Sequence, residues 1–173
     1  SAFGNGVLAA NTTGTSNTGV GKNALEANTT ANNNTAVGKN ALGANTTGAS
    51  NVAVGQEALA ANTTAANNTA VGRVALDANT TGTANVAVGT NALGTSTTAS
   101  ENTAVGNAAL FATTTGADNV GIGASALDST TTGGENTAIG HQAGHNLTTG
   151  VNNTLLGHEA GTDAVANVVA SNG

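Results

Sequence analysis

The side chains from which an ordinary hydrophobic core is built are almost missing from this chain. Its 173 residues include two Phe and no Trp, Tyr, Met, Cys or Pro. Although 38% of the residues are hydrophobic, most of these are Ala. A compact globule needs larger side chains to bury enough apolar surface on folding. The lack of Cys also excludes disulfides and thiolate metal sites.

Positive charge is equally scarce, and long apolar runs do not occur. The chain carries three basic and nine acidic residues, for a formal net charge of −6 at pH 7. Nucleic acid and anionic lipid attract polybasic surfaces, so we expect neither as a partner. No run reaches the ~20 apolar residues of a membrane helix, and no charged-then-apolar signal segment is visible. We therefore expect no membrane insertion.

A strict 17-residue repeat fills the chain instead. The copy that starts at Asn34 reads NTAVGKNALGANTTGAS, with Asn at the first place and Gly at the fifth. So much Gly, Asn and Thr is typical of disordered linkers, but a disordered chain would not keep β-branched residues and Gly in a fixed register. A fixed period of this kind is the mark of a repeat architecture. After a partial first copy, the repeats start at Asn17, Asn34, Asn51, Asn68, Asn85, Asn102, Asn119, Asn136 and Asn153.

The charged residues indicate which places of the repeat face water. All except Asp163 occupy the sixth, seventh, tenth or last place of a copy. Because an unpaired buried charge is costly, we predict that these four places are exposed. The places that exclude charge are the second to fifth, the eighth, the ninth and the Thr pair at the thirteenth and fourteenth. We predict strands and packed turns at those places.

Two short segments of each copy favour β structure. Residues 35–37 (Thr-Ala-Val) and 45–47 (Asn-Thr-Thr) carry β-branched residues bounded by Gly and Asn, and they are too short for helices. Because no long loop separates the copies, each copy can only stack on the next, about 4.8 Å higher. We predict an all-β fold, a β-solenoid (parallel β-roll) of ten 17-residue coils over residues 1–169, with residues 170–173 starting a following segment.

Each coil offers one Val and one Leu, at the fourth and ninth places, and we predict that both point inward. In the copy from Asn136 the ninth place becomes Gly144 and the twelfth becomes Leu147, so one apolar side chain leaves and another arrives. We interpret these places as facing one interior volume. A lone coil buries too little to fold. We therefore expect self-association, with the Ala-rich third and eighth places as flat faces for another chain.

These motifs resemble the repeats of two kinds of surface fibre. The stretch N-T-A-V-G-x-x-A-L is similar to the N-S-V-A-I-G-x-x-S/A-x-A repeat of trimeric autotransporter adhesin heads. The closing stretch IGHQAGHNLTTGVNNTLLGHEAG is similar to the G-x-Q-A-G-x-N-x-T-T-G-x-N-N-T repeats of phage tail-fibre and tailspike proteins. The resemblance implies a left-handed parallel β-roll in a homotrimer, on a virion tail fibre or a cell surface. The period of 17 residues is longer than that of the adhesin repeat.

The uncharged polar residues give three further predictions. The recurrent Asn can stack their amides into a hydrogen-bonded ladder at a coil corner. The fifth-place Gly can supply a positive φ or a close approach of two backbones. Asn33, Asn67 and Asn152 fit the glycosylation sequon. The Asn-Thr-Thr triplets fit it as well, with candidate residues Asn11, Asn28, Asn45, Asn62 and Asn79.

The three imidazoles of the chain lie in adjacent copies. His141 and His158 share the sixth place one copy apart, and His145 lies between them in sequence. Stacked or trimer-related His can bind a transition metal. The alternative is that they are solvated, because the sixth place also carries Lys and Arg.

For function, we expect a structural and adhesive segment of an extracellular fibre that provides reach and multivalent attachment to cell-surface glycans. One alternative is an ice-binding solenoid that uses the Thr pairs. Another is a purely structural, self-assembling surface filament. No nucleophile–base pair, paired carboxylates or cofactor motif recurs along the chain. We therefore expect neither enzymatic activity nor a cofactor.

Overall fold

The computed structural model describes residues 1–162, which form one β-solenoid without any helix. Ten short strands build a single parallel sheet in which each strand pairs with its neighbours in sequence. The pairing is in register, with Ala36 opposite Ala53 and Val37 opposite Val54. The predicted fold of stacked 17-residue coils is confirmed, while residues 163–173, and with them the predicted boundary after residue 169, lie outside the described part. The strands are β1 (Ala2–Phe3), β2 (Thr18–Val20), β3 (Thr35–Val37), β4 (Val52–Val54), β5 (Thr69–Val71), β6 (Val86–Val88), β7 (Thr103–Val105), β8 (Val120–Ile122), β9 (Thr137–Ile139) and β10 (Thr154–Leu156).

Each coil contains one strand rather than the two that the sequence predicted. The second to fourth places form it, whereas residues 45–47 are bent. The reason is local: the Asn45 side chain donates from Nδ2 to the Gly48 carbonyl at 2.9 Å and closes a turn. An Asn amide competes with extended backbone in this way.

Backbone hydrogen bonds nevertheless join the coils around most of their circumference. Outside the sheet, the Leu42 N–H donates to the Ala58 carbonyl at 3.0 Å, and the Thr46 N–H donates to the Thr63 carbonyl at 2.9 Å. Equivalent bonds recur from coil to coil. Each coil is therefore stabilised by its neighbours rather than by its own strand.

The interior is thin and holds Leu, Ala and Asn. In the central coils, Leu59 at the ninth place and Ala53 and Ala58 at the third and eighth are 0% exposed. The expected use of the third and eighth places as outer faces for another chain was therefore wrong. These small side chains let the strand lie directly against the Leu column.

The fourth-place Val does not point inward, so that prediction was also wrong. Val37 is 36% exposed, whereas its neighbour Ala36 is fully buried. Successive side chains of a strand alternate between its two sides, so an inward third place forces the second and fourth places outward. An interior this thin has room for one Leu per coil and no Val.

The copy that starts at Asn136 keeps its interior filled after losing Leu at the ninth place. Leu147 packs partly buried against the core, as the exchange predicted. A second replacement, missed from the sequence, is Leu155 at the third place. A Cβ built on Gly144 would lie 2.9 Å from Leu155 Cδ1, and one built on Gly161 would lie 2.8 Å from Leu155 Cδ2. Leu155 therefore occupies the volume beside both glycines.

The coil corners depend on left-handed backbone. Gly55 has φ of 137°, and a Cβ there would lie 2.3 Å from the Gly72 carbonyl oxygen, so both predicted reasons for the fifth-place Gly are confirmed. Three further corners are left-handed without Gly, at Asn40 (φ 57°), Leu42 (φ 50°) and Ser50 (φ 59°). Asn tolerates this conformation at low cost, while Leu does not favour it. Its burial and the stacked neighbours hold Leu42 in place.

Candidate interaction surface and interior ladders

The outward side of the sheet forms one continuous surface, which we call the strand face. It consists of the second- and fourth-place side chains, two columns separated by the inward third place. Val20, Val37 and Val71 are 36–37% exposed, so the surface repeats closely from coil to coil. The fourth-place column is Phe3, Val20, Val37, Val54, Val71, Val88, Val105, Ile122, Ile139 and Leu156, and the second-place column is Ser1, Thr18, Thr35, Val52, Thr69, Val86, Thr103, Val120, Thr137 and Thr154.

The strand face is an apolar stripe along the rod. Its ten strands, spaced by ~4.8 Å, give it a length of about 43 Å. The fourth place is aliphatic or aromatic throughout, and neither column contains a charged residue. A contiguous apolar stripe rimmed by polar residues is typical of an interaction site.

Charge lies at the rims of the strand face and is divided along the rod. The basic residues follow the strands in the N-terminal half, and three acidic residues precede the strands in the C-terminal half. No charged residue of the described part is fully buried. Those at the sixth and last places are exposed, as predicted, whereas Glu57 at the seventh place and Asp77 and Asp128 at the tenth are half-buried. The basic rim is Lys22, Lys39 and Arg73, and the acidic rim is Glu101, Asp118 and Glu135.

The first-place Asn form the predicted ladder in the interior. The Asn51 N–H donates to Asn34 Oδ1 at 2.9 Å, and Asn51 Nδ2 donates to the Ala65 carbonyl at 2.9 Å. The same pair of bonds recurs at Asn68, Asn85 and the later coils. Because these amides are buried and bonded within the solenoid, they are structural rather than ligand-binding.

A second ladder, which was not predicted from the sequence, follows the twelfth place. Asn62 Nδ2 donates to Asn45 Oδ1 at 2.8 Å, and Asn79 Nδ2 donates to Asn62 Oδ1 at 3.0 Å. After Asn79 the ladder stops, because the next residues at this place are Ser96 and Thr113. Their hydroxyl oxygens are buried without a hydrogen-bond partner. The sequence feature that could have predicted this ladder is the Asn at the twelfth place of every copy through Asn79.

The second ladder contradicts glycosylation at most of the Asn-Thr-Thr sequons. Asn28, Asn45, Asn62 and Asn79 are 0% exposed, and their Nδ2 atoms, where a glycan would attach, donate hydrogen bonds inside the coil. Asn11, in the terminal coil, is half-buried. The sequon residues with exposed side chains are Asn33, Asn67 and Asn152, together with Asn146, which heads an Asn-Leu-Thr sequon not predicted from the sequence.

The Thr pairs do not form a flat two-column surface. Thr46 and its equivalents at the thirteenth place are half-buried in most inner coils, and the Thr46 hydroxyl donates to the Thr63 carbonyl at 3.0 Å. Thr47 at the fourteenth place is exposed. The thirteenth-place hydroxyls therefore serve the stacking of coils.

The structure brings two of the three His together. The rings of His141 and His158 stack with centroids 5.1 Å apart and an interplanar angle of 15°. Glu159 joins them, with its Oε1 3.8 Å from His158 Nε2. His145 lies outside this cluster, because its Nδ1 is 2.5 Å from Asp128 Oδ1.

Comparison of the chain with protein-family models, curated proteins and solved structures gives no significant match. The resemblance to fibre repeats therefore depends on the sequence motifs alone. The part of the chain that the structure describes has no helix of the length and hydropathy needed to cross a membrane.

Proposed function

We propose that this chain is a segment of an extracellular fibre, a phage tail fibre or a bacterial surface adhesin, in which three copies associate through their strand faces. The observation that carries the proposal is the exposed apolar column of fourth-place side chains along the ten strands of residues 1–162. Covering it would remove the remaining exposed area of the fourth-place side chains from water, at roughly 25 cal/mol per Å².

A parallel trimer suits the dimensions of this stripe. Its two columns are only about 7 Å apart, the separation of alternate residues on a strand, so three narrow faces can converge on one axis. In such an arrangement the rims with Lys22, Lys39 and Glu101 stay in water. Association therefore carries no penalty for desolvating these charges. The motif resemblance to trimeric fibres agrees with this geometry.

The adhesive part of the proposal depends on repetition. The turns of each coil project polar side chains at the same spacing along the rod, so a ligand contact made at one coil recurs at the next. Weak contacts that are repeated on a rigid support give strong overall attachment. Repeated glycans on a cell surface are the matching partner.

The first experiment measures the assembled mass by analytical ultracentrifugation. We expect about three times the chain mass of 16.2 kDa. Val71→Lys with Val88→Lys places two ammonium groups in the stripe and is expected to dissociate the trimer. Thr64→Lys with Thr81→Lys, at exposed fourteenth places of adjacent coils, is the matched control and leaves the mass unchanged. A monomeric parent chain would refute the trimer.

A covalent test separates assembly through the strand face from other contacts. Because the chain has no Cys, Val71→Cys introduces a single thiol. Oxidation is expected to give covalent dimers within the trimer for Val71→Cys and not for the exposed control Thr64→Cys. Binding of the trimer to host cells then separates an adhesin from a purely structural filament.

Ice binding is the second candidate, and the strand face rather than the Thr pairs favours it. This face has no charged side chain and is regular, with Thr at the second place in most coils and an aliphatic residue at the fourth place of nearly all. A monomer that shows thermal hysteresis, lost in Thr69→Lys and kept in Thr64→Lys, would favour this function over the fibre.

A further inference from the structure

We propose that His141, His158 and Glu159 form a surface site for a divalent transition-metal ion, with Zn²⁺ the best match. One ligand atom from each residue lies within 4.8 Å of the other two. Two imidazoles and a carboxylate are a common zinc ligand set, with a fourth position left for water. This proposal does not depend on the proposed fibre function.

The solenoid itself brings the three ligands together. His141 and His158 occupy the sixth place of adjacent coils, two residues after the end of β9 and β10, so the coil spacing sets the distance between their rings. The Glu159 N–H donates to the His141 carbonyl at 2.9 Å. This bond holds the backbone of Glu159 against the backbone of His141 in the preceding coil.

The distances are close to those of a bound ion. With metal–ligand bonds of about 2.0–2.2 Å, the ligand atoms of a tetrahedral zinc site lie about 3.3–3.6 Å apart. The distance from His158 Nε2 to Glu159 Oε1 is 3.8 Å. All three side chains are exposed, so small rotations about their side-chain bonds can bring the atoms to bonding distance without moving the backbone.

The surroundings favour this trio over the rest of the described surface. In earlier coils the sixth place carries residues such as Lys22, Lys39 and Arg73, which do not ligate metals under ordinary conditions. Within residues 1–162, this is the one such group of three His, Asp or Glu side chains. His145 is engaged by Asp128 and therefore serves as an internal control.

The test is calorimetric titration of the untagged 173-residue chain with ZnCl₂ near neutral pH. We expect about one ion per chain, and a loss of affinity of about tenfold or more in His141→Ala and His158→Ala. Ala is already accepted at this place, as Ala124 shows. Glu159→Gln is expected to weaken binding, whereas the control His145→Ala keeps the parent affinity. Equal binding by all variants, or no binding by the parent chain, would overturn the site.

A second readout identifies the ligands without relying on affinity. The chain has only three His, so their ring proton signals can be assigned by NMR with the single variants. Sub-stoichiometric Cu²⁺ is expected to broaden the signals of His141 and His158 and to leave His145 sharp. Equal broadening of all three would indicate non-specific binding and reject the proposal. Circular dichroism of each variant checks that the solenoid remains folded.

Discussion

The two halves of the rod have the same coil shape but a different interior at the twelfth place. In the N-terminal half, the Asn62 amide donates to Asn45 Oδ1 and to the Ala65 carbonyl. In the C-terminal half, Ser96 and Thr113 have buried hydroxyls without partners. The strand pairing is equally regular in both halves. The first-place Asn ladder and the Leu and Ala columns are therefore sufficient for the shape, and the second ladder adds stability.

The largest expected difference between the halves comes from removing the twelfth-place side chain. Asn62→Ala deletes the two hydrogen bonds of 2.8 Å and 3.0 Å that Nδ2 donates and the 3.0 Å bond that Oδ1 accepts from Asn79, and it leaves a small cavity. We expect a loss of about 2–4 kcal/mol in the free energy of unfolding. Ser96→Ala removes a hydroxyl that has no partner, so its effect is expected to be near zero or slightly stabilising. Urea unfolding of both variants measures the difference, and equal losses would show that the ladder does not distinguish the halves.

The reverse substitution extends the ladder into the C-terminal half. In Ser96→Asn the new amide can donate toward Asn79 Oδ1 and the Ala99 carbonyl, and its oxygen can accept from the unpartnered Thr113 hydroxyl. We expect a gain of about 1–2 kcal/mol, because buried polar groups without partners become bonded. Thr98→Asn, at an exposed fourteenth place, is the control and should leave the unfolding free energy unchanged. A loss of stability in Ser96→Asn would mean that this half is too tightly packed for the longer side chain.

Much of this fold could be predicted from the sequence because the repeat fixes the register. The period gave the coil. The exclusion of charge marked the third, eighth and ninth places, which are buried, but it also marked the second and fourth, which face outward. The direction of the fourth-place Val could not be predicted from hydrophobicity, since a strand side with Val is normally the buried one. The clue was the third place, where Ala or Gly is invariant until Leu155 appears beside Gly144 and Gly161. Volume, rather than hydrophobicity, decides which side of the strand faces inward.

The candidate sites were predictable to a smaller extent. The shared sixth place put His141 and His158 one coil apart, as the structure confirms. Glu159 could not be added from the sequence, because its direction depends on the left-handed corner at that residue (φ 54°). The left-handed backbone of the ninth-place Leu could not be predicted either, since nothing in a Leu residue indicates a positive φ. Such corners are imposed by stacking and burial rather than by local preference.

The seventh-place corner allows a smaller test of the halves. Val74 has φ of 49°, which is strained for a β-branched residue, and the same place is Asn23, Asn40 and Asn91 in other coils. We expect Val74→Asn to raise the free energy of unfolding by about 0.5–1 kcal/mol. Ala108→Asn, at the same place in the C-terminal half, should give a smaller gain because Ala108 is less crowded at its φ of 53°. Thermal unfolding of the two variants provides the comparison, and a larger gain at Ala108 would show that side-chain branching is not the source of strain.

The smallest expected effect compares two acids at the tenth place, one in each half. Burial raises the pKa of the Asp77 carboxyl above 3.8, and the nearby Glu57 adds to the increase, while two backbone N–H groups oppose it. An acid with a raised pKa in the folded state contributes stability when protonated and loses it as the pH rises. Asp77→Ala, which copies Ala60, should therefore stabilise the chain at neutral pH, with a gain that shrinks as the pH falls toward 3.8.

Asp128 is the matched control for this pH effect, because its carboxylate is bonded to His145 at 2.5 Å. Asp128→Ala is expected to cost about 0.5 kcal/mol at neutral pH, since it removes a single contact with a His145 ring that lies near the surface. The two tenth-place substitutions should thus change the free energy of unfolding at neutral pH in opposite directions. Unfolding curves at neutral pH and near pH 3.8 measure both. If Asp77→Ala destabilises the chain at neutral pH, the backbone N–H groups that face its carboxylate outweigh the cost of its burial, and the difference between the halves at this place disappears.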